Sequence, residues 1–199
     1  MEKQQVLFID GGDSKDNFNN FNDYLNKFEY DPYEVKTKKW KNSLAPDLGE
    51  DFFLMNPKMP NKNFADYNER KIMFEKTFPY LENDIILVGH SMGGTFLIKY
   101  LEENNFPVKI KKIIIISGAF KDSPGDVIGN FNFDKTLLNL KKYENDIIFY
   151  QSKDDFVVPF SDLEDYRKIF PNSQYNIFEN RGHFIDETFP ELIEQIKLI

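Results

Sequence analysis

Six short apolar runs, rich in β-branched and aromatic residues, recur along the chain at 6–9, 52–55, 85–88, 113–116, 147–150 and 175–178. Each is nearly continuous in hydrophobicity instead of alternating with polar residues. That pattern suits strands covered on both faces, as in a parallel sheet. Longer segments of helical period lie between them. In 91–103, Phe96, Leu97, Ile98, Tyr100 and Leu101 leave little polar face, so this helix is expected to be deeply buried. In 186–198, Phe189, Leu192, Ile193 and Ile196 fall at i, i+3, i+4 and i+7, which is a one-sided stripe. A third helix is expected over 64–80, with Tyr67, Phe74 and Phe78 on one side, and a shorter one over 136–143. The stretch 31–50 is irregular and polar around Trp40 and reads as surface connection plus a short helix.

Alternating strand and helix implies right-handed crossovers and a three-layer αβα sandwich. The expectation is an α/β fold with a mostly parallel sheet of about six strands, in a single domain spanning 1–199. No internal repeat, low-complexity tract or interdomain linker interrupts it.

Composition changes this picture in three ways. With 41% hydrophobic and 16% aromatic residues among 199, including 21 Phe, the chain can bury a ring-rich core. A formal net charge of −8 argues against nucleic acid and anionic membranes as partners, because both need clustered Lys and Arg. The absence of cysteine excludes disulfides, Cys-ligated zinc and a cysteine nucleophile. The apolar run at 6–9 is too short for a signal-peptide core or a membrane span, so a cytoplasmic location is expected.

The chemistry concentrates in Ile85-Ile86-Leu87-Val88-Gly89-His90-Ser91-Met92-Gly93-Gly94. A buried strand ends, Gly-x-Ser-x-Gly follows and a buried helix begins at once. This is the form of a nucleophile elbow, in which glycines flank a serine on a strained turn and the next amide opens a helix. A serine hydroxyl needs a base, and the chain has only two histidines. His90 adjoins Ser91 and cannot easily place its ring against the neighbouring hydroxyl, so it is expected to line or support the site. His183, in Arg181-Gly182-His183-Phe184 after the last strand, is the candidate base. The orienting acid is sought at the end of the fifth strand, where Asp154 and Asp155 are adjacent; Asp122 and Asp126 follow the fourth strand and are weaker candidates. Capping, turn formation and a loop histidine are the plainer roles open to these same residues.

The segments Gly-His-Ser-Met-Gly-Gly (89–94), Asp-Asp-Phe-Val-Val-Pro (154–159) and Arg-Gly-His-Phe (181–184) resemble those of the α/β-hydrolase superfamily. Over 6–196 the chain is similar to its small, cap-less serine hydrolases, the group of retinoblastoma-binding protein 9 and its bacterial relatives. Asn56-Pro57-Lys58-Met59-Pro60 is similar to a Met-Pro segment of the same group. The resemblance implies Ser91 as nucleophile, His183 as base and Asp155 as acid, since the family's Asp-x-x-Val-Pro pattern matches 155–159 and not 154–158. Many relatives have His-Gly where Asp10-Gly11 stands here. By that match the amides of Gly12 and Met92 would form the oxyanion hole, and Asp10 is the departure from the pattern. The partner-binding motif of the human relative requires a cysteine, so that role does not carry over.

Cap domains of the superfamily usually enter between the fourth and fifth strands, and 117–146 is too short to hold one. The site is therefore expected to be open and to favour small acyl groups, with Met92, Phe120, Phe156 and Phe184 as candidate walls. The implied activity is esterase or thioesterase hydrolysis of a small-molecule acyl substrate through an acyl-enzyme, with no metal or organic cofactor. Two alternatives stay open from sequence: a binding protein on the same scaffold, and an acyltransferase using the same triad. The oligomeric state is not legible.

Overall fold

The computed structural model describes residues 3–15, 18–33, 38–123 and 127–199. In chain order the elements are β1 (Gln4–Ile9), α1 (Phe18–Lys27), α2 (Trp40–Leu48), β2 (Phe52–Met55), α3 (Tyr67–Glu75), β3 (Ile85–His90), α4 (Met92–Glu103), β4 (Ile110–Ile116), β5 (Ile147–Ser152), α5 (Phe160–Ile169), β6 (Gln174–Phe178) and α6 (Pro190–Leu198). All six strands pair in parallel in the order β2-β1-β3-β4-β5-β6.

The continuous apolar runs follow from burial on both faces. Val6, Phe8, Ile86, Val88, Ile114 and Ile116 point to one side, where Trp40, Leu44 and Leu48 of α2 and Leu192 and Ile196 of α6 pack. Their alternates Leu7, Ile9, Leu87, Ile113 and Ile115 point to the other, against α3, α4 and α5. Successive strand residues face opposite ways, so a strand between two helical layers must be apolar at nearly every position. α4 carries ten buried residues among its twelve, as its lack of a polar face requires.

Three helical expectations change. The helix expected over 64–80 ends at Glu75, and Pro79 then seeds a separate 3₁₀ turn over Phe78–Tyr80. α6 starts at Pro190 instead of 186. Its preset φ suits the first helical position, and Phe189 before it, at φ −142° and ψ 67°, is not helical. Over 136–143 no α-helix forms. Leu137 sits at φ +47°, Asp134 closes a side-chain turn on Thr136, and a 3₁₀ helix runs from Leu140 to Asp146. Burial explains that outcome, because Leu137 and Leu140 are both pulled into the core while Leu138 is exposed.

Two helices, α1 and α5, have no counterpart in the sequence expectations. α1 buries no residue. Its rings Phe18 and Phe21 reach Phe64 at centroid distances of 5.9 and 5.2 Å. Asp126 lies outside the described residues. Among the described residues, no helix is long and apolar enough to cross a membrane.

Candidate active site

Strand order reverses between β1 and β3. β2 lies beyond β1 on one side, whereas β4 to β6 extend from β3 on the other. At such a switch point the loops leaving neighbouring strands diverge and open a crevice at the strand C-termini. Here the loop after β1 carries Asp10, Gly11 and Gly12, and the turn after β3 carries Ser91. A cavity of about 220 Å³ sits over this point, lined by Gly12, Ser91, Met92 and both histidines.

Ser91 has φ 57° and ψ −129°, a conformation that side chains rarely adopt. The surroundings enforce it. A Cβ on Gly89 would lie 2.6 Å from the Gly93 carbonyl oxygen, and one on Gly93 would lie 2.1 Å from that of Ile9. The amide of Ser91 donates to the Ile116 carbonyl at 2.8 Å, which fastens the turn to β4. The glycines of the motif are thus steric necessities. Gly93→Ala is expected to lower unfolding stability by about 2 kcal/mol or more, because the added methyl meets backbone that cannot yield. An unchanged urea midpoint would refute that steric reading.

His183 lies in the loop after β6, buried at 7% exposure. Its Nδ1 is 3.0 Å from both Oδ1 and Oδ2 of Asp155. The Asp155 side chain is fully buried, and its remaining capacity is taken up. Oδ1 accepts from the amides of Val157 and Val158, each at 2.9 Å. Oδ2 accepts from Ser117 Oγ at 2.7 Å and Gln151 Nε2 at 3.2 Å. A carboxylate that accepts from all these donors is paired with a ring that donates from Nδ1, which points Nε2 away from Asp155. Asp154 is exposed and does something else: its Oδ1 accepts from the Gly182 amide at 2.9 Å and from Ser152 Oγ at 2.5 Å. One acid meets the ring and its neighbour ties down the loop that carries the ring. Asp122 meets the amide of Ile128 instead.

His90 is a supporting residue. Its Nε2 donates to the His183 carbonyl at 3.0 Å, and the two rings stand 5.0 Å apart. Burial holds its pKa well below the ordinary histidine value, so the ring is neutral. Trp40 Nε1 donates to the Phe184 carbonyl at 2.8 Å, so the first residue of α2 also clamps this loop.

Of the candidate walls, Met92 and His90 line the cavity, while the three phenylalanines do not. Phe184, at φ +50° after Gly182 at the same angle, turns inward and stacks on Phe189. Phe120 packs edge-on against Tyr166 at 4.9 Å. The tight turn that brings the amides of Val157 and Val158 onto Asp155 leaves Phe156 72% exposed. Ala119, Val157, Val158 and Ile185 supply the apolar wall instead.

Sequence reading missed the residues that hold the loop after β1. Arg70, fully buried, donates Nη1 to the Asp10 carbonyl at 3.2 Å and Nη2 to that of Gly11 at 3.1 Å. Its guanidinium occupies the place a Cβ on Gly12 would take, 2.1 Å from Nη2. Burial pulls its pKa down to about 10. The available signal was its position, since a charge at 70 falls on the same helical face as Tyr67 and Phe74. Asp10 Oδ1 accepts from the Gly11 amide at 2.8 Å and pairs with Lys41, and Oδ2 pairs with Lys62. Burial alone would raise the Asp10 pKa, but the two ammoniums outweigh it and hold the carboxyl below the usual carboxylate range. No group of three or more His, Asp or Glu able to hold a metal occurs among the described residues.

No protein-family model matches the chain. It is 29% identical over 160 residues to the putative hydrolase YdeN of Bacillus subtilis (strain 168), covering 76% of this chain and 79% of that protein. The crystal structure of the B. subtilis ydeN gene product superposes with a TM-score of 0.70 at 20% identity, over 98% of both chains. A serine hydrolase involved in carbazole degradation, CarC, gives 0.61 at 15% identity over 99% of this chain and 90% of its own. The thioesterase domain from the curacin biosynthetic pathway gives 0.60 at 12% identity, over 98% and 92%. The six-stranded parallel sheet and these end-to-end superpositions define the class: this is a small protein of the α/β-hydrolase fold. Within it, the chain is similar to YdeN in both sequence and structure.

Proposed function

We propose that this chain is a serine hydrolase of the esterase or thioesterase type that cleaves small acyl esters through an acyl-enzyme. The observation that carries the reading is the pairing of His183 Nδ1 with both oxygens of buried Asp155, on the wall of the cavity into which the elbow presents Ser91. In this reading Ser91 Oγ attacks the carbonyl carbon while His183 Nε2 takes its proton. The amides of Gly12 and Met92 receive the developing oxyanion; no partner for either is found among the described residues, and Met92 opens α4, where the helix field favours negative charge. His183 then returns the proton to the leaving group, and water repeats the sequence on the acyl-enzyme.

Cavity size supports a small acyl group. The segment after β4 packs Ile128, Phe131, Leu137 and Leu140 into the core instead of over the site. The names of structural neighbours, a serine hydrolase and a thioesterase, agree with the reaction class. The test is release of p-nitrophenol from the acetate and butyrate esters, with thiol release from matching thioesters run in parallel. Wild type is expected to turn over at least one series, and His183→Ala to lose about 10²- to 10⁴-fold in kcat. A wild-type protein inert toward both, or a variant as active as wild type, would overturn the reading.

A further inference from the structure

The cavity over Ser91 has one strongly basic wall. Lys39 and Lys41 reach it from the start of α2, and Lys62 from the loop before α3. In a chain of net charge −8, three lysines around one small cavity are not what surface composition would deliver. Two acids share the lining, Asp10 and Asp13. Asp10 takes Lys41 at 2.5 Å on one oxygen and Lys62 at 2.8 Å on the other. One carboxylate cannot neutralise two ammoniums. Asp13 acts on the guanidinium of Arg70 behind the loop, and Lys39 has no acid within ion-pair distance among the described residues. The cavity therefore carries surplus positive charge.

That surplus is placed close to the chemistry. The Lys41 side chain is only 17% exposed, so its charge is incompletely solvated. Gly11, next to Asp10, lies so near the nucleophile that a Cβ there would stand 3.4 Å from Ser91 Oγ. Lys41 also acts electrostatically on His90, the ring beside His183. A partly desolvated cation lacking a full counter-charge gains most from an anionic ligand.

We propose that the substrates of this site are esters whose acyl chain ends in an anionic group, held by Lys39, Lys41 and Lys62 while the carbonyl meets Ser91. This rests on the hydrolase reading above and names its substrate class. The competing account gives the lysines no task beyond neutralising Asp10, and it predicts no preference for charge.

The experiment compares kcat/KM for the p-nitrophenyl monoester of glutaric acid with p-nitrophenyl valerate, which matches it in length without the charge. The anionic ester is expected to be favoured about 10-fold at low salt, as hydrogen bonds to a charged group allow. The preference should shrink as sodium chloride is raised, and collapse when Lys39→Met and Lys62→Met are combined. A wild-type preference for valerate, or an unchanged ratio in the double variant, overturns the proposal. Calorimetry on Ser91→Ala with monomethyl glutarate and methyl valerate separates the two readings. Lysine-dependent binding of the glutarate ester without any wild-type turnover would retire the hydrolase and keep the anion site. Turnover of both esters without charge preference would do the reverse.

Discussion

Ser91→Ala is expected to abolish covalent labelling by a fluorophosphonate probe and to reduce ester turnover by at least about 10⁴-fold. The size of the effect follows from the arrangement of the site. Without the hydroxyl, the imidazole of His183 has no serine proton to take, and no acyl-enzyme can form. What survives is binding and oxyanion stabilisation of direct water attack. The fold should not suffer. Ser91 is tied to β4 through its amide, which alanine keeps, and both side chains meet the same strain at φ 57°. Thermal unfolding within about 1 kcal/mol of wild type would show that lost labelling reports lost chemistry. Labelling that persists in the variant, at another residue or at the same rate, would remove Ser91 from the mechanism.

How much of this was legible in the sequence depends on the range over which each feature is determined. The six strands could be read because a strand between two helical layers is apolar at nearly every position, a purely local signature. The strained Gly-x-Ser-x-Gly turn could be read because its glycines answer steric contacts within five residues and one neighbouring strand. α1 was hidden, since its stripe of Phe18, Phe21 and Tyr24 lies among asparagines and packs on Phe64 instead of the core. The 136–143 segment misled because local helical spacing of Leu137 and Leu140 was satisfied by a turn once both had to reach the core. Phenylalanine was ambiguous throughout. Nothing near Phe120 or Phe184 in sequence tells a cavity wall from a core ring, because that depends on backbone angles set by distant packing. The supports of the site, Arg70 from α3, Ser117 just after β4 and the lysines of the basic wall, meet it only through the fold, so no spacing announces them.

The adjacent acids after β5 give the sharpest test of the proposed mechanism, because sequence offered both and the geometry separates their tasks. Asp155→Asn should leave the loop in place, since an amide oxygen can still accept from Val157 and Val158. Its NH₂ group, however, would face His183 Nδ1, Ser117 Oγ and Gln151 Nε2, where wild type presents acceptors only. The imidazole would then move its proton to Nε2, the atom that must be bare to serve Ser91. A fall in kcat of about 10⁴-fold is expected, with KM little changed. Asp154→Asn keeps an acceptor for the Gly182 amide and Ser152 Oγ and touches no ring atom. Its cost should stay within about threefold, the range of a surface change of a few tenths of a kcal/mol. The contrast matters more than either value. Comparable losses at 154 and 155 would mean that the buried carboxylate does no more than hold the loop, and the assignment of His183 as a base set by its Nδ1 partner would fail with it.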